Sequence, residues 1–139
     1  MEVSCGMKVF ISYAQADASL AGKVKDALER DGLKVYGYIR DLPSIRNIVN
    51  QQLKEADAMV VLLTPEATNS MGVRAEIDYA LGEKNFRGRL IPVLVGAPER
   101  FPENSIPWIL RRLKMINIPE HGRYEDSIWQ ITKALKEVA

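Results

Sequence analysis

The segment Ala58-Met59-Val60-Val61-Leu62-Leu63 is an apolar run with no polar interruption. A strand with one wet face alternates apolar and polar residues, so an unbroken run reads as a strand covered on both faces, as inner strands of parallel sheets are. A sheet of that kind needs helices above and below it, and the flanking sequence alternates between short β-rich segments and segments of helical period. Lys8-Val9-Phe10-Ile11 reads as a first strand. From Asp17 to Asp31, the residues Leu20, Val24, Ala27 and Leu28 recur at helical spacing, and Gly32 follows where a helix end favours a residue tolerant of positive φ. Lys34-Val35-Tyr36-Gly37-Tyr38 reads as a second strand. After Asp41-Leu42-Pro43-Ser44, the positions Ile45, Ile48, Val49, Leu53 and Ala56 mark a second helix.

Downstream of the apolar run, Thr64-Pro65-Glu66 has the form of an N-cap and first turn, leading into a helix that carries Val73, Ile77, Ala80 and Leu81. Leu90-Ile91-Pro92-Val93-Leu94-Val95 is a fourth strand, in which Pro92 requires a ladder position that needs no N–H. The stretch 96–107 is loop-like. A short helix around Trp108 to Leu113, a brief strand at Met115 to Ile118, and a last helix using Tyr124, Ile128, Ile131, Leu135 and Val138 complete the chain. Five β–α units with right-handed crossovers imply one α/β domain over residues 1–139, with its core at about 7–138. The expected architecture is a flavodoxin-like three-layer fold with a central parallel sheet in strand order 2-1-3-4-5. Ligands of such folds bind beyond the carboxyl ends of the strands, near the switch point between the first and third, so the site is expected just after Ile11, Tyr38, Leu63 and Val95.

Composition removes several classes of chemistry. Cys5 is the single cysteine and His121 the single histidine, which excludes a disulfide scaffold and leaves a zinc site short of ligands; no metal site is expected. With 19 Lys and Arg against 18 Asp and Glu, the formal charge of +1 is too small for a dedicated nucleic-acid binder. A local basic excess between Lys84 and Lys114 reads as a solvated face or as an attraction for a phosphate or a partner. No apolar run approaches the ~18 residues that span a bilayer, and the N-terminal residues lack the apolar core of a signal peptide. No membrane association is expected, and a cytoplasmic location is.

The expected site loops lack the marks of the common chemistries. A phosphorelay receiver needs acidic residues after its first strand and an Asp after its third, where this chain has Ser12-Tyr13 and Thr64-Pro65. A nucleotide cradle would place a Gly-rich turn after the first strand, yet Ser12-Tyr13-Ala14-Gln15-Ala16-Asp17 contains no glycine. A Ser/His/Asp triad would depend on His121, in a polar turn beyond the fourth strand. One carboxylate is well placed. On a helical wheel anchored at Val73, Ile77 lies about 40° to one side while Ala80 and Glu76 lie about 20° and 60° to the other. Glu76 thus borders the buried face, where partial desolvation strengthens its interaction with developing positive charge. The alternative is a surface glutamate paired with Arg74 or Arg40.

Val9-Phe10-Ile11-Ser12-Tyr13 followed by Asp17 resembles the opening signature of Toll/interleukin-1 receptor (TIR) domains, and Leu62-Leu63-Thr64-Pro65 followed by Ser70 and Glu76 resembles their later segment ending in a glutamate. The resemblance extends over essentially the whole chain. It implies a TIR fold and, in the enzymatic, bacterial-type branch of the family, cleavage of the nicotinamide–ribose bond of NAD⁺, with Glu76 as the catalytic residue. NAD⁺ is then a substrate, and no separate cofactor is implied. The family's cleft maps to Ser12 and Tyr13, to the segment from Tyr38 to Ser44, and to Ser70 through Glu76. Tyr13 and Tyr38 become candidate stacking platforms and Arg40 a candidate pyrophosphate contact, each with ordinary packing or solvation as the alternative. The family's self-assembly loop maps to Asp41, Leu42, Pro43 and Ser44, which implies other TIR domains as partners. Two positions depart from the pattern: Gly72 stands where the family has a tryptophan four residues before the glutamate, and the second-strand loop is short, with Pro43-Ser44 in place of proline-glycine.

The resemblance implies an NAD⁺ glycohydrolase or cyclase, in microbial defence or signalling, that yields nicotinamide and ADP-ribose or a cyclic isomer. A non-catalytic TIR–TIR interaction module is a second reading. A nucleoside deoxyribosyltransferase-like enzyme, which also uses a glutamate on a related fold, is a more distant third.

Overall fold

The computed structural model describes residues 7–37, 51–83, 89–96, 99, 101, 110, 112–113, 115–119 and 125–138. Strands β1 (Lys8–Ser12), β2 (Lys34–Tyr36), β3 (Ala58–Leu63), β4 (Leu90–Val95) and β5 (Ile116–Ile118) form one sheet in the order β2-β1-β3-β4-β5. Every neighbouring pair is parallel. The helices are α1 (Ala18–Arg30), preceded by a 3-10 turn at Gln15–Asp17, then α2 (residues 51–55), α3 (Pro65–Thr68), α4 (Met71–Gly82) and α5 (Glu125–Val138). This is the flavodoxin-like arrangement expected from the sequence. The apolar run is the central strand, and Val60, Val61 and Leu62 are fully buried.

Alternation along the strands divides the core in two. Val9, Ile11, Ala58, Val60, Leu62, Ile91, Val93 and Val95 pack on one face against Ala21, Val24 and Leu28 of α1 and Ile128, Ile131 and Leu135 of α5. Phe10, Met59, Val61, Leu63, Leu90 and Leu94 pack on the other against Leu53 of α2, Ala67 of α3 and Val73, Ile77 and Ala80 of α4. Leu110 is buried on this second face.

Local chemistry explains where the elements stop. Helix α1 ends in a Schellman motif: the Gly32 N–H donates to the Glu29 carbonyl, the Leu33 N–H donates to that of Leu28, and Gly32 takes φ +88°. Strand β2 is shorter than the sequence suggests, because Gly37 turns the chain at φ +87°. A Cβ on Gly37 would lie 2.9 Å from the Ile11 carbonyl oxygen and 3.0 Å from the Phe10 ring, so only glycine lets the turn approach β1 this closely. The Gly37 N–H donates to Gln52 Oε1 at 2.9 Å, which ties the same turn to α2.

The single helix expected after Thr64 is two helices. Thr64 caps α3, its hydroxyl accepting from the Ala67 N–H at 3.0 Å, and α3 ends at Thr68. Ser70 then adopts an extended backbone and its hydroxyl accepts from the Val73 N–H at 3.2 Å, starting α4 afresh.

Pro92 sits opposite Val61 in the β3–β4 ladder. The Gly96 N–H donates to the Ile118 carbonyl, so alternation aims the amide position of residue 92 at the β5 side as well. Among the described residues, pairing with β5 begins only at Val93, past the position where the donor is missing. Strand β5 begins at Ile116, one residue later than expected. Ile45, Ile48, Val49, Trp108 and Tyr124, read from the sequence as helical, lie outside the described residues.

Candidate active site at the carboxyl ends of β1 and β3

Ser12 closes β1, with the parity of Phe10, and therefore turns its side chain to the α4 face of the sheet. Glu76 projects from α4 one turn after Val73 and beside Ile77, both of which are buried against that face. The two meet across 64 positions of sequence: Ser12 Oγ donates to Glu76 Oε1 at 2.6 Å, with Ser12 fully buried and Glu76 only 8% exposed. The length is that of a hydroxyl bonded to a carboxylate, and such a bond is the compensation a carboxyl group needs when it is withdrawn from water. Of the alternatives open for Glu76, the buried position is the one the structure realises, with a hydroxyl as partner. Arg74 lies exposed on the next-to-adjacent position of the same helix.

A second hydroxyl–carboxylate bond lies beside the first. Thr64, immediately after β3, donates from Oγ1 to Asp17 Oδ2 at 2.5 Å while accepting from the Ala67 N–H. Asp17 occupies the N-cap position of α1, yet its side chain makes no cap hydrogen bond to that helix. The bond to Thr64 joins the loops after β1 and β3, which flank the switch point of the strand order. The motif reading drew in Asp17 and the capping reading drew in Thr64, but not as partners. The only signal available in the sequence was that both follow neighbouring strands of a 2-1-3 sheet.

The remaining expected site residues divide. Ser70 is half-buried at the N-terminus of α4, with its hydroxyl engaged as the helix cap. Tyr13 is 2% exposed and belongs to the core on the α1/α5 face, opposite the face that holds Glu76. The structure thus corrects the expectation of an open stacking ring at Tyr13 in favour of packing, because one step along an extended chain reverses the side on which a residue lies. Tyr36, half-buried against the α4-face core and level with Phe10, is the described β2 aromatic on the Glu76 side, and sequence reasoning passed over it. Tyr38, Arg40, Asp41, Leu42, Pro43 and Ser44 lie outside the described residues. Further along α4, burial and then the neighbouring Glu83 carboxylate push the Tyr79 phenol above its usual range, keeping it neutral.

Among the described residues there is no grouping of three or more His, Cys, Asp or Glu side chains that could hold a metal ion, and no helix is long and apolar enough to cross a membrane. The chemistry on display is that of one buried carboxylate oriented by a hydroxyl. It can accept hydrogen bonds from sugar hydroxyls and stabilise an adjacent cation, and it needs no second acid where the leaving group is stable enough to depart unprotonated.

A family model described as a TIR domain matches residues 9–132. The TIR domain of the Toll-related receptor TRR-2 from Hydra magnipapillata superposes with a TM-score of 0.67 at 17% identity, covering 92% of this chain and 97% of its own. The TIR domains of the activated Roq1 resistosome, which directly recognises the pathogen effector XopQ, superpose with a TM-score of 0.67 at 16% identity, covering 96% and 99%. No curated protein sequence matches significantly. With the family model spanning most of the chain and the sheet order, layers and motif positions in agreement, this protein belongs to the TIR domain family.

Proposed function

We propose that this TIR domain cleaves the nicotinamide–ribose bond of NAD⁺, with Glu76 as the catalytic residue. The observation that carries the reading is the buried Ser12–Glu76 hydrogen bond at the carboxyl end of β1. Nicotinamide is bound to ribose as a cationic pyridinium and leaves as a neutral molecule, taking the electron pair of the C–N bond, so the departure needs no proton donor. Positive charge then develops at the anomeric carbon. Glycosidases that expel an alcohol use a second carboxyl group for that proton, whereas one carboxylate suffices here. Glu76, shielded from water, would accept hydrogen bonds from the ribose hydroxyls and oppose the growing charge, in surroundings where such an interaction is stronger than in bulk solvent. Addition of water to the anomeric carbon gives ADP-ribose and releases one proton; attack by an adenine ring nitrogen or a ribose hydroxyl of the same molecule gives a cyclic isomer instead.

Ser12 orients the carboxylate, Arg40 is assigned to the pyrophosphate, Tyr38 to a stacked base and Ser70 to the rim of the cleft. Self-association through the segment 41–44 completes the site, a role supported by the occurrence of TIR domains within an assembled resistosome. Defence or signalling is the accompanying biological role, in the cytoplasm.

The test is chromatography with mass analysis of NAD⁺ incubated with concentrated protein, beside Glu76→Gln and beside a deoxynucleoside substrate. Nicotinamide and ADP-ribose, or its isomer, should accumulate with the wild-type protein alone. Turnover of the deoxynucleoside and not of NAD⁺ would point to a deoxyribosyltransferase, and inertness toward both in the assembled protein would leave an interaction module. Specific activity should rise with protein concentration; activity that is flat over a wide dilution of a protein remaining monomeric by light scattering argues against assembly as the switch.

A further inference from the structure

Two hydrogen bonds described separately above close one ring. From Ser12 the chain runs through Tyr13 and Ala14 to Asp17, whose N–H donates to the Ala14 carbonyl at 2.8 Å. The Asp17 carboxylate accepts from Thr64. Thr64 caps α3, and α3 leads through Ser70 into α4 and Glu76. Glu76 accepts from Ser12 and completes the circuit. One hydroxyl, that of Thr64, therefore holds both arms of the pair: it donates to the loop that leaves Ser12 and accepts from the helix that leads to Glu76.

We infer that Thr64 and Asp17 are positioning residues for the Ser12–Glu76 pair, acting through the backbone arms they tie together and not by touching substrate. Three features favour this over a local role in helix capping. Ser12 is paired to Val61 of β3, and among the described residues the β1–β2 register ends at Phe10, two positions before it. The strap supplies a second anchor a few residues on. Asp17 stands at the N-cap of α1 and makes no cap bond there, although Asp at that position commonly accepts from its own helix. Its carboxylate reaches across the switch point to a threonine that is only 4% exposed. Finally, a hydroxyl–carboxylate bond holds direction only as well as its two backbones are held, and a displacement of about 1 Å in a catalytic group is enough to cost ~10²-fold in rate.

The inference rests on the NAD⁺-cleaving reading for its kinetic arm and is independent of it for its structural arm. The kinetic arm compares wild type with Asp17→Ala, Thr64→Val and Thr64→Ser. Asp17→Ala removes the strap without removing an α1 cap; Thr64→Val removes strap and α3 cap together; Thr64→Ser keeps both. In the first two, kcat for NAD⁺ should fall about tenfold with KM within about twofold, and Thr64→Ser should retain wild-type turnover. Unchanged kcat in a folded Asp17→Ala protein overturns the inference, and Asp17→Ala alone decides this arm if Thr64→Val does not fold. The structural arm is a double-mutant cycle of Ser12→Ala and Asp17→Ala read by denaturation midpoint. If the ring is one unit, the midpoint loss of the double variant falls short of the summed single losses; additive losses mean two separate bonds and overturn it. A wild-type protein inert toward NAD⁺ would remove the proposed reaction while the cycle still decides whether Asp17 acts on the pair.

Discussion

The two faces of the sheet are built from the same strands and use them differently. On the α1/α5 side, β1 contributes Val9 and Ile11, and the strand side chains described there are apolar from one end of the sheet to the other. On the α4 side, β1 contributes Phe10 and then Ser12, which meets Glu76 of α4, while Thr64 and Thr68 are buried just beyond the carboxyl end of β3. Among the described residues, Thr132 of α5 is the other buried polar side chain, so the polar groups withdrawn from water are concentrated at the carboxyl ends of β1 and β3. Burying such groups costs free energy unless every one is bonded, and a sheet needs none of them to form. One face specifies the fold; the other gives up apolar packing at its end to hold a carboxylate in place.

This contrast is open to direct attack. The largest effect is expected where the faces agree, in the central strand: Leu62→Ala should destabilise the protein by about 2–5 kcal/mol, measured by denaturant titration. A loss well under that range would mean the α1/α5 core can collapse around the gap. Next comes Glu76→Gln, for which the expectation is a loss of at least ~10²-fold in NAD⁺ turnover, about 2.7 kcal/mol in barrier, with the fold retained by circular dichroism. Equal turnover by the two proteins would leave the polar end of the face without a catalytic purpose. A smaller effect belongs to Gly37→Ala, which places a methyl group against the Ile11 carbonyl and strains a positive-φ turn. About 1–3 kcal/mol of stability should be lost, with turnover reduced because Ile11 precedes Ser12. Finally, Ser12→Ala combined with Glu76→Leu should change stability by less than ~1 kcal/mol, or raise it, while abolishing turnover, since neither member of the Ser12–Glu76 bond is then left buried without the other. A large destabilisation of that double variant would show the pair to be part of what holds the fold.

Much of the apolar side was legible in the sequence. The uninterrupted β3 run announced a buried parallel strand, and the helical spacing of Val24 and Leu28, or of Ile128, Ile131 and Leu135, announced the layer above it. Glu76 was legible as well, because its angle from Val73 on the helix is fixed by geometry. Strand alternation also places Tyr13 away from it, on the side of Val9 and Ile11. Other features depend on tertiary contact. The break at Asn69-Ser70 is hidden because residues 65 to 82 are compatible with one continuous helix, and only the extended backbone of Ser70 divides them. Gln52 receiving the Gly37 N–H, and Asp17 receiving the Thr64 hydroxyl, join segments whose approach follows from the assembled sheet.

Pro92 has an effect on the molecule's outer boundary. It offers no donor toward β5 ahead of Val93, and among the described residues the outermost strand on that flank runs only from Ile116 to Ile118. The opposite flank is equally brief, Lys34–Tyr36, and opens on an exposed lysine. Among the described residues, a sheet whose middle strands run from Ala58 to Leu63 and from Leu90 to Val95 thus tapers at both margins. Long, flat margins recruit strands from neighbouring molecules and lead toward fibrous aggregates, whereas short ones present too few unpaired amides to template another chain. Among the described residues, neither margin offers the long row of unpaired amides on which a strand of another molecule could be laid.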